Sequence, residues 1–379
     1  MSSDPASATE ATEATEATET ELSTEATAHA SLDRAVARSA AIESELATDP
    51  SGYRVLTGDR PTGRLHLGHY LGTLANRVRL QDLGVETMLL VADYQVITDR
   101  DDAGPIAERV RELVTDYLAL GIDPERTTIF AHSAVPALNQ LMLPFLSLVT
   151  DSELRRNPTV KAEFEATGGR PMSALLLTYP VHQAADILFC KANLVPVGKD
   201  QLPHLELTRV VARRFNERYA GGASVFPAPD ALLSPATNVL GVDGQKMSKS
   251  RGNTIDLAMT EDETAKQLKR AVTDSDRFIS YDPIARPEVA NLLLIAAEMT
   301  GRAPEEIAAE IGDGGGGGLK KLVTEAVNES LRPIRARRRE LEADPAVVEA
   351  VLAAGNARAN EIAEATLAEV RTAMGMVYA

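Results

Sequence analysis

From Tyr53 onward the chain alternates short apolar runs with longer segments whose apolar residues recur every three or four positions. Arg54–Leu56 has the character of a short buried strand and runs into Thr57-Gly58. Thr87–Ala92 and Thr127–Ala131 repeat that pattern. Between them, Ile106, Val110, Leu113, Val114, Tyr117 and Leu118 recur at helical spacing, and Pro105 stands where a first helical residue would. Strands separated by helices need crossover connections, so the pattern predicts a parallel sheet.

After about Thr260 the strand-like runs stop. The spacing predicts helices over Glu261–Val272, Pro287–Met299, Leu319–Glu342, Ala346–Ala354 and Ala357–Met374, with the five glycines Gly314–Gly318 forming a loop. Upstream, Leu32, Val36, Ile42 and Leu46 predict a helix over 31–46, which Asp49-Pro50-Ser51-Gly52 ends. Residues 8–19 repeat Ala-Thr-Glu four times, and the segment to about Thr27 holds almost no large apolar residue. It reads as a disordered acidic tail. The expected organisation is a tail with a short helix over 1–50, an α/β domain over 51–258 and an all-α domain over 259–379.

Charge narrows the class of partner. The net charge is −16, and the first thirty residues carry Asp4 and six Glu without Lys or Arg, so removing those seven charges leaves the body at −9. An acidic body does not attract nucleic acid indiscriminately, and a polyanion would need a local basic patch. Cys190 is the only cysteine, which excludes an internal disulfide and a cysteine-built zinc or iron–sulfur site. The start MSSDPASATE lacks a basic n-region and an apolar h-region, and the longest apolar runs are far too short to span a bilayer. A cytoplasmic protein without a membrane partner is expected.

Two segments carry chemistry. Gly58 to His69 reads GDRPTGRLHLGH, follows the first strand and opens a helix. A helix N-terminus presents free N–H groups to a phosphate, and His66 and His69, at i and i+3, share one face. Imidazoles there can hydrogen-bond phosphate oxygens as negative charge builds on them, although a pair of histidines also caps a helix without any ligand. The spacing is neither GxGxxG nor GxxxxGK[ST], which argues against a dinucleotide fold and a P-loop enzyme. The second segment, Gly244 to Asn253, reads GQKMSKSRGN and places Lys246 and Lys249 three apart in a Gly/Ser-flanked loop. Mobile lysines can follow a phosphate through a reaction, although most Lys-Ser stretches are solvated loops.

Together, His66-Leu67-Gly68-His69 and Lys246-Met247-Ser248-Lys249-Ser250 resemble the two signature motifs of class I aminoacyl-tRNA synthetases, in the expected order. Leu177-Thr178-Tyr179-Pro180, Ala184-Ala185-Asp186-Ile187-Leu188 and Val195-Pro196-Val197-Gly198-Lys199-Asp200-Gln201 are similar to the tryptophanyl-tRNA synthetase family, as are His204 to Arg209, Ala271 to Ser275 and Ala373 to Gly375. The resemblance runs from about Tyr53 to the C-terminus and leaves the acidic tail out.

The resemblance implies a Rossmann-type catalytic domain with an insertion at about 134–173, a helical anticodon-binding domain, and an ATP-dependent reaction. The tryptophan carboxylate attacks the α-phosphate of ATP, and the adenylate then esterifies the terminal ribose of tRNA(Trp). Mg²⁺ would ride on the ATP phosphates, and a homodimer would form through the insertion. Arg60, Pro61 and Thr62 match the family's ATP loop, where Gln usually stands in place of Arg60. Gly68 and His69 match its phosphate and adenine contacts, with Asn often standing for His69. Gly198, Lys199 and Asp200 match the ribose loop, with Lys199 replacing a common Glu, and Thr237 falls where the family's backbone meets adenine. Lys246 and Lys249, with Met247, Ser248 and Ser250 around them, would grip pyrophosphate, and Lys161 is placed to reach the phosphates.

Asp186 would accept the indole N–H, while Tyr179 and Gln201 would contact the amino group. Two positions depart from the family pattern. Gln183 stands where Met is common, and Gln95 where His is common. Gln183 and Asp186 lie three apart on one helix face, a spacing tyrosyl-tRNA synthetases use for the phenol, so tyrosine is the alternative substrate. On the acidic body, Arg332, Arg335, Arg337, Arg338 and Arg339 form the best local patch for tRNA phosphates, the alternative being a helix face paired with glutamates. A small-molecule nucleotidylyltransferase would share the HxGH loop but lack the helical domain. A non-catalytic tRNA-binding relative would not exchange pyrophosphate.

Overall fold

The computed structural model describes residues 32–98, 104–166, 171–233 and 239–378. Five strands form one sheet: β1 (Arg54–Asp59), β2 (Glu86–Val91), β3 (Thr127–Ala131), β4 (Leu194–Val197) and β5 (Asp230–Leu233). All pairs are parallel, in the order β3-β2-β1-β4-β5, with Arg54 opposite Glu86 and Asp59 opposite Val91. This is the Rossmann-type arrangement expected from the sequence. The chain leaves β1 toward one edge and later returns to β1's other side through β4. Crossovers therefore diverge at the carboxyl ends of β1 and β4, where open α/β sheets form their binding crevice.

A helix over 32–48, α1, lies before the sheet, and its Ile42 and Leu46 pack on Val55, Leu80, Leu194 and Leu232. α2 runs over 67–83 and contains one π-helical stretch, Tyr70–Leu74, directly after the HLGH turn. Next come α3 (Ile106–Ala119), α4 (Pro136–Leu146), α5 (Asp151–Arg156), α6 (Pro158–Ala166), α7 (Ala174–Leu188) and α8 (Leu202–Tyr219). The C-terminal third is helical: α9 (Glu261–Lys269), α10 (Pro287–Thr300), α11 (Pro304–Ile311), α12 (Gly315–Ala343) and α13 (Pro345–Ala373).

Three expectations are corrected. β1 continues through Thr57-Gly58 to Asp59 instead of stopping there. Gly315–Gly318 is helical, forming the first turn of α12 rather than a loop. Gly costs about 1 kcal/mol per helical position, but a Cβ on Gly316 would stand 2.7 Å from Thr273 Oγ1, so the bare backbone is what lets this turn pack. The pair of helices expected either side of Gly355 is one continuous helix, α13.

Gly355 shows why. A Cβ there would come within 1.8 Å of the carbonyl oxygen of Ile129 in β3. Asn356 next to it accepts the Ala131 N–H at 2.9 Å, Asn360 donates to Ala134 O at 2.7 Å, and Thr366 donates to Phe189 O at 2.6 Å. The C-terminal helix is thus fastened to the sheet. Gly355→Ala, normally stabilising in a helix, is expected here to cost about 1–3 kcal/mol through overpacking. Urea unfolding would show it; an unchanged or raised midpoint would contradict this contact.

The two main clusters of buried side chains each draw on both halves of the chain. One joins Leu89 and Val91 of the sheet to Leu319, Val323 and Val327 of α12, the other joins Phe130 to Ala359, Ala363 and Leu367 of α13. The change at 258/259 is therefore one of element type, without a break in packing.

Candidate active site

A cavity of about 380 Å³ opens at the carboxyl ends of β1 and β4. Its walls include Gly58 and Asp59 from β1, Leu90 from β2, and Val197 and Gly198 from β4. Into it the fold brings Arg60, Gln95, Tyr179, Gln183, Asp186 and Gln201, residues spread over more than a hundred positions. Tyr179, Gln183 and Asp186 share α7, whose start Ser173 caps by accepting the Leu176 N–H.

Asp186 is the most enclosed of these, at 1% exposure. His132, just after β3, donates from Nε2 to Asp186 Oδ1. The His132 and His182 rings stack at 4.4 Å, 14° from parallel, and His182 Nε2 meets Asn139 Oδ1 at 3.0 Å. Tyr179 Oη pairs with His204 Nε2 at 3.0 Å, and burial raises the phenol's pKa, helped by Glu163.

Behind Gly58 a buried network fixes the end of β1. Arg77 of α2 pairs with Asp59, and the Tyr117 hydroxyl donates to Asp59 at 2.6 Å. Burial alone would raise the Asp59 carboxyl, but the Arg77 guanidinium and these hydrogen bonds hold it down at about 2. Both Asp59 and Arg77 line the cavity, so a fixed ion pair sits at its wall.

The HLGH turn lies alongside. His66 precedes the first helical turn, its N–H reaches His69 Nδ1 at 3.2 Å, and the two rings stand 3.8 Å apart. Burial, then the neighbouring His69 and Lys249, lowers His66 to about 3; burial lowers His69 to about 4, with Asp59 pulling the other way. At neutral pH both rings are uncharged hydrogen-bonding groups. The second loop meets the first. Leu67 N–H donates to Ile255 O at 2.9 Å and Leu257 N–H to Leu65 O at 3.0 Å. A Cβ on Gly68 would lie 3.6 Å from Met247 Sδ, and one on Gly63 would lie 3.7 Å from Lys249 Nζ. Asn253 shapes that loop by accepting the Ser248 N–H at 2.7 Å and donating to Lys246 O at 3.1 Å. Ser248 and Ser250 hydroxyls pair at 2.9 Å, and Lys246 is exposed.

Other expected residues sit at the margin. Pro61 is buried, and Thr62 half-buried, just past β1. Lys199 and Asp200 are exposed in a single turn after β4, with Gln201 donating to Asp200 at 2.9 Å. Lys161 is exposed on α6 and does not line the cavity; Glu163, two residues on, does. Thr237 lies outside the described residues.

The basic patch needs correction. Arg335 and Arg338 are only 3% and 6% exposed. Arg335 donates to Asn328 at 2.8 Å and Thr264 at 2.7 Å, while Arg338 pairs with Asp116 of α3 and Glu342. α12 carries a buried face as well as an exposed one, and a run of arginines does not show which face each occupies. Arg332, Arg337 and Arg339 remain on the surface, and Arg332 pairs there with Glu329.

Sequence reading passed over His132, His182, Asp59, Arg77 and Glu163. His182 had a signal, lying four residues before Asp186 on one helix, and so on its face. His132 had none, because only the fold brings it to Asp186.

Residues 50–332 match the family described as tRNA synthetases class I (W and Y). A tryptophan--tRNA ligase from Treponema pallidum is 44% identical over 85% of this chain and 97% of its own length. One from Thermotoga maritima is 41% identical over 86% of this chain and all of its own. A tryptophanyl-tRNA synthetase from Campylobacter jejuni, solved with ADP and tryptophan, superposes with a TM-score of 0.73 at 30% identity, covering 85% of this chain and 99% of that one. No helix among the described residues is long and apolar enough to cross a membrane. With a parallel sheet of this order, two signature loops in contact and full-length relatives at this identity, the chain belongs to the class I aminoacyl-tRNA synthetases, in the branch of the tryptophan--tRNA ligases.

Proposed function

We propose that the cavity binds tryptophan and ATP side by side and that the chain transfers the activated amino acid to tRNA(Trp). The observations that carry this are the contact between the HLGH turn and the KMSKS loop and, at the carboxyl ends of β1 and β4, a cavity with a carboxylate, Asp186, in its wall. A carboxylate enclosed to this degree favours a substrate that supplies an N–H donor and penalises one that leaves it unpaired. Tyr179 and Gln201 line the same cavity, which supports assigning them to the amino group.

In the first step the tryptophan carboxylate attacks the α-phosphorus, and pyrophosphate leaves with the bond electrons. No side chain has to move a proton, so the residues act by positioning and by stabilising charge. Uncharged His66 and His69 donate hydrogen bonds, and Lys246 and Lys249 draw the departing pyrophosphate. Arg60, Pro61, Thr62, Gly68 and Gly198 to Asp200 cradle the rest of the nucleotide, whose phosphates would carry Mg²⁺ to offset their charge. In the second step a ribose hydroxyl of tRNA attacks the adenylate carbonyl, and AMP leaves. Arg332, Arg337 and Arg339 are the surface cations of α12 available to the tRNA backbone.

ATP–pyrophosphate exchange run separately with tryptophan and tyrosine tests the reading. Exchange with tryptophan and little with tyrosine is expected; faster exchange with tyrosine would reassign the Gln183–Asp186 pair to a phenol. A chain lacking residues 1–27 should aminoacylate tRNA at the full rate, and a large loss would give the acidic tail a role. We further propose a homodimer through the segment 134–173, where α4 leaves Leu143 72% exposed. Light scattering should report twice the chain mass, and a monomer would remove this assignment.

A further inference from the structure

Among the described residues, His132, His182 and Asp186 form a buried cluster that the proposed chemistry does not use in full. Their ligand-type atoms lie within 4.8 Å of one another, a spacing that invites a metal reading. The geometry opposes it. His132 Nε2 is taken by Asp186, His182 Nε2 by Asn139, and rings only 14° from parallel aim their lone pairs side by side instead of at one point.

The same geometry suits orientation of the carboxylate. His132 is completely buried, and its Nδ1 has no partner among the described residues. A bare lone pair there costs less than an unpaired N–H, so the hydrogen belongs on Nε2, directed at Asp186 Oδ1. The ring cannot swing away, because His182 stacks on one side of it and Asn139 fixes His182. Tyr94 closes the cluster, with its ring 6.2 Å from His132 and 6.4 Å from His182.

We infer that His132 is a positioning and specificity residue: it occupies Oδ1 of Asp186, so that Oδ2 alone is left for a single donor on the substrate ring. This rests on the reading of Asp186 as the indole acceptor. The carboxylate is then a one-acceptor site of fixed direction, tuned to one N–H. Without His132 it could rotate and bind a donor less selectively.

The test compares His132→Phe, His132→Gln and Asp186→Leu in pyrophosphate exchange. Substrates are tryptophan and 3-benzothienylalanine, which has the same shape and no N–H. His132→Phe keeps the ring stack and removes the donor. It should raise the KM for tryptophan about 10-fold and cut the preference over the benzothienyl analogue by a similar factor, the range for one hydrogen bond to a charged group. The KM for ATP should stay within about twofold. His132→Gln, which restores an N–H donor, should recover most of both. Unchanged tryptophan KM and preference in His132→Phe overturns the inference, as does a parallel rise in both KM values. If Asp186→Leu, which has no acceptor, also leaves the preference intact, the assignment of Asp186 itself fails; if it abolishes the preference while His132→Phe does not, only the role of His132 fails. Should His132→Phe not fold, His132→Asn decides: its shorter amide should lose the preference that His132→Gln keeps, and equal behaviour of the two overturns the inference.

Discussion

Replacing Lys249 with alanine is expected to slow tryptophan-dependent pyrophosphate exchange about 100-fold or more, the usual loss when one group that stabilises transition-state charge is removed. The ammonium lies beside the HLGH turn, where its charge helps hold both imidazoles in their uncharged form. It is the point at which the two loops share one electrostatic environment. Tryptophan binding should change little, because Asp186, Gln183 and Gln201 line the cavity and Lys249 does not. The chain contains no tryptophan of its own, so the substrate is the only indole in the cuvette and its fluorescence reports binding directly. A kcat that stays within a few-fold of the parent enzyme would remove Lys249 from the reaction.

The second large effect concerns stability. Arg338→Met should destabilise the fold by about 3–5 kcal/mol, because it leaves the Asp116 carboxylate buried without its counter-charge. Burial already lifts the Asp116 carboxyl to about 6 from an ordinary 3.8, against the pull of Arg338. Without the guanidinium that value rises further. A carboxyl raised in the folded state favours folding at low pH, and that contribution is lost as pH rises through the folded value. The variant should therefore be most impaired near pH 8 and partly recover toward pH 6. Urea midpoints at the two pH values would show this; an equal loss at both, or a loss under about 1 kcal/mol, would mean the pair is not what anchors these helices. Asp116 Oδ2 also faces the Leu65 N–H at 3.5 Å, so the same carboxylate touches the segment that leads into His66.

β2 and β3 were legible because they are almost wholly buried and read as apolar runs, whereas β4 and β5, four residues each and only half-buried toward their ends, were not identified as strands. β3 has the limits its residues suggest, and β2 differs by one position at each end. The paired signature motifs were legible for another reason: their residue types serve phosphates, and their order fits one strand–loop–helix entry and one loop after the last strand. What could not be read was close approach. Gly355 and Gly316 look like breaks in a helix until the neighbouring backbone and Thr273 are in place. Arg335 and Arg338 look like solvent-facing cations until Thr264 and Asp116 appear on the opposing helices. His132 meets Asp186 across 54 positions, a pairing no local pattern contains.

The seam between α13 and β3 carries a lesson for recombination. Chimeras that swap the helical half of one relative onto the α/β half of another, in the hope of redirecting tRNA choice, would cut through the Gly355–Ile129 contact and the asparagine bonds beside it. A donor helix with any side chain at that position would be pushed off the recipient sheet. The two halves would therefore have to be inherited, or transplanted, with the β3–α4 junction as a matched set.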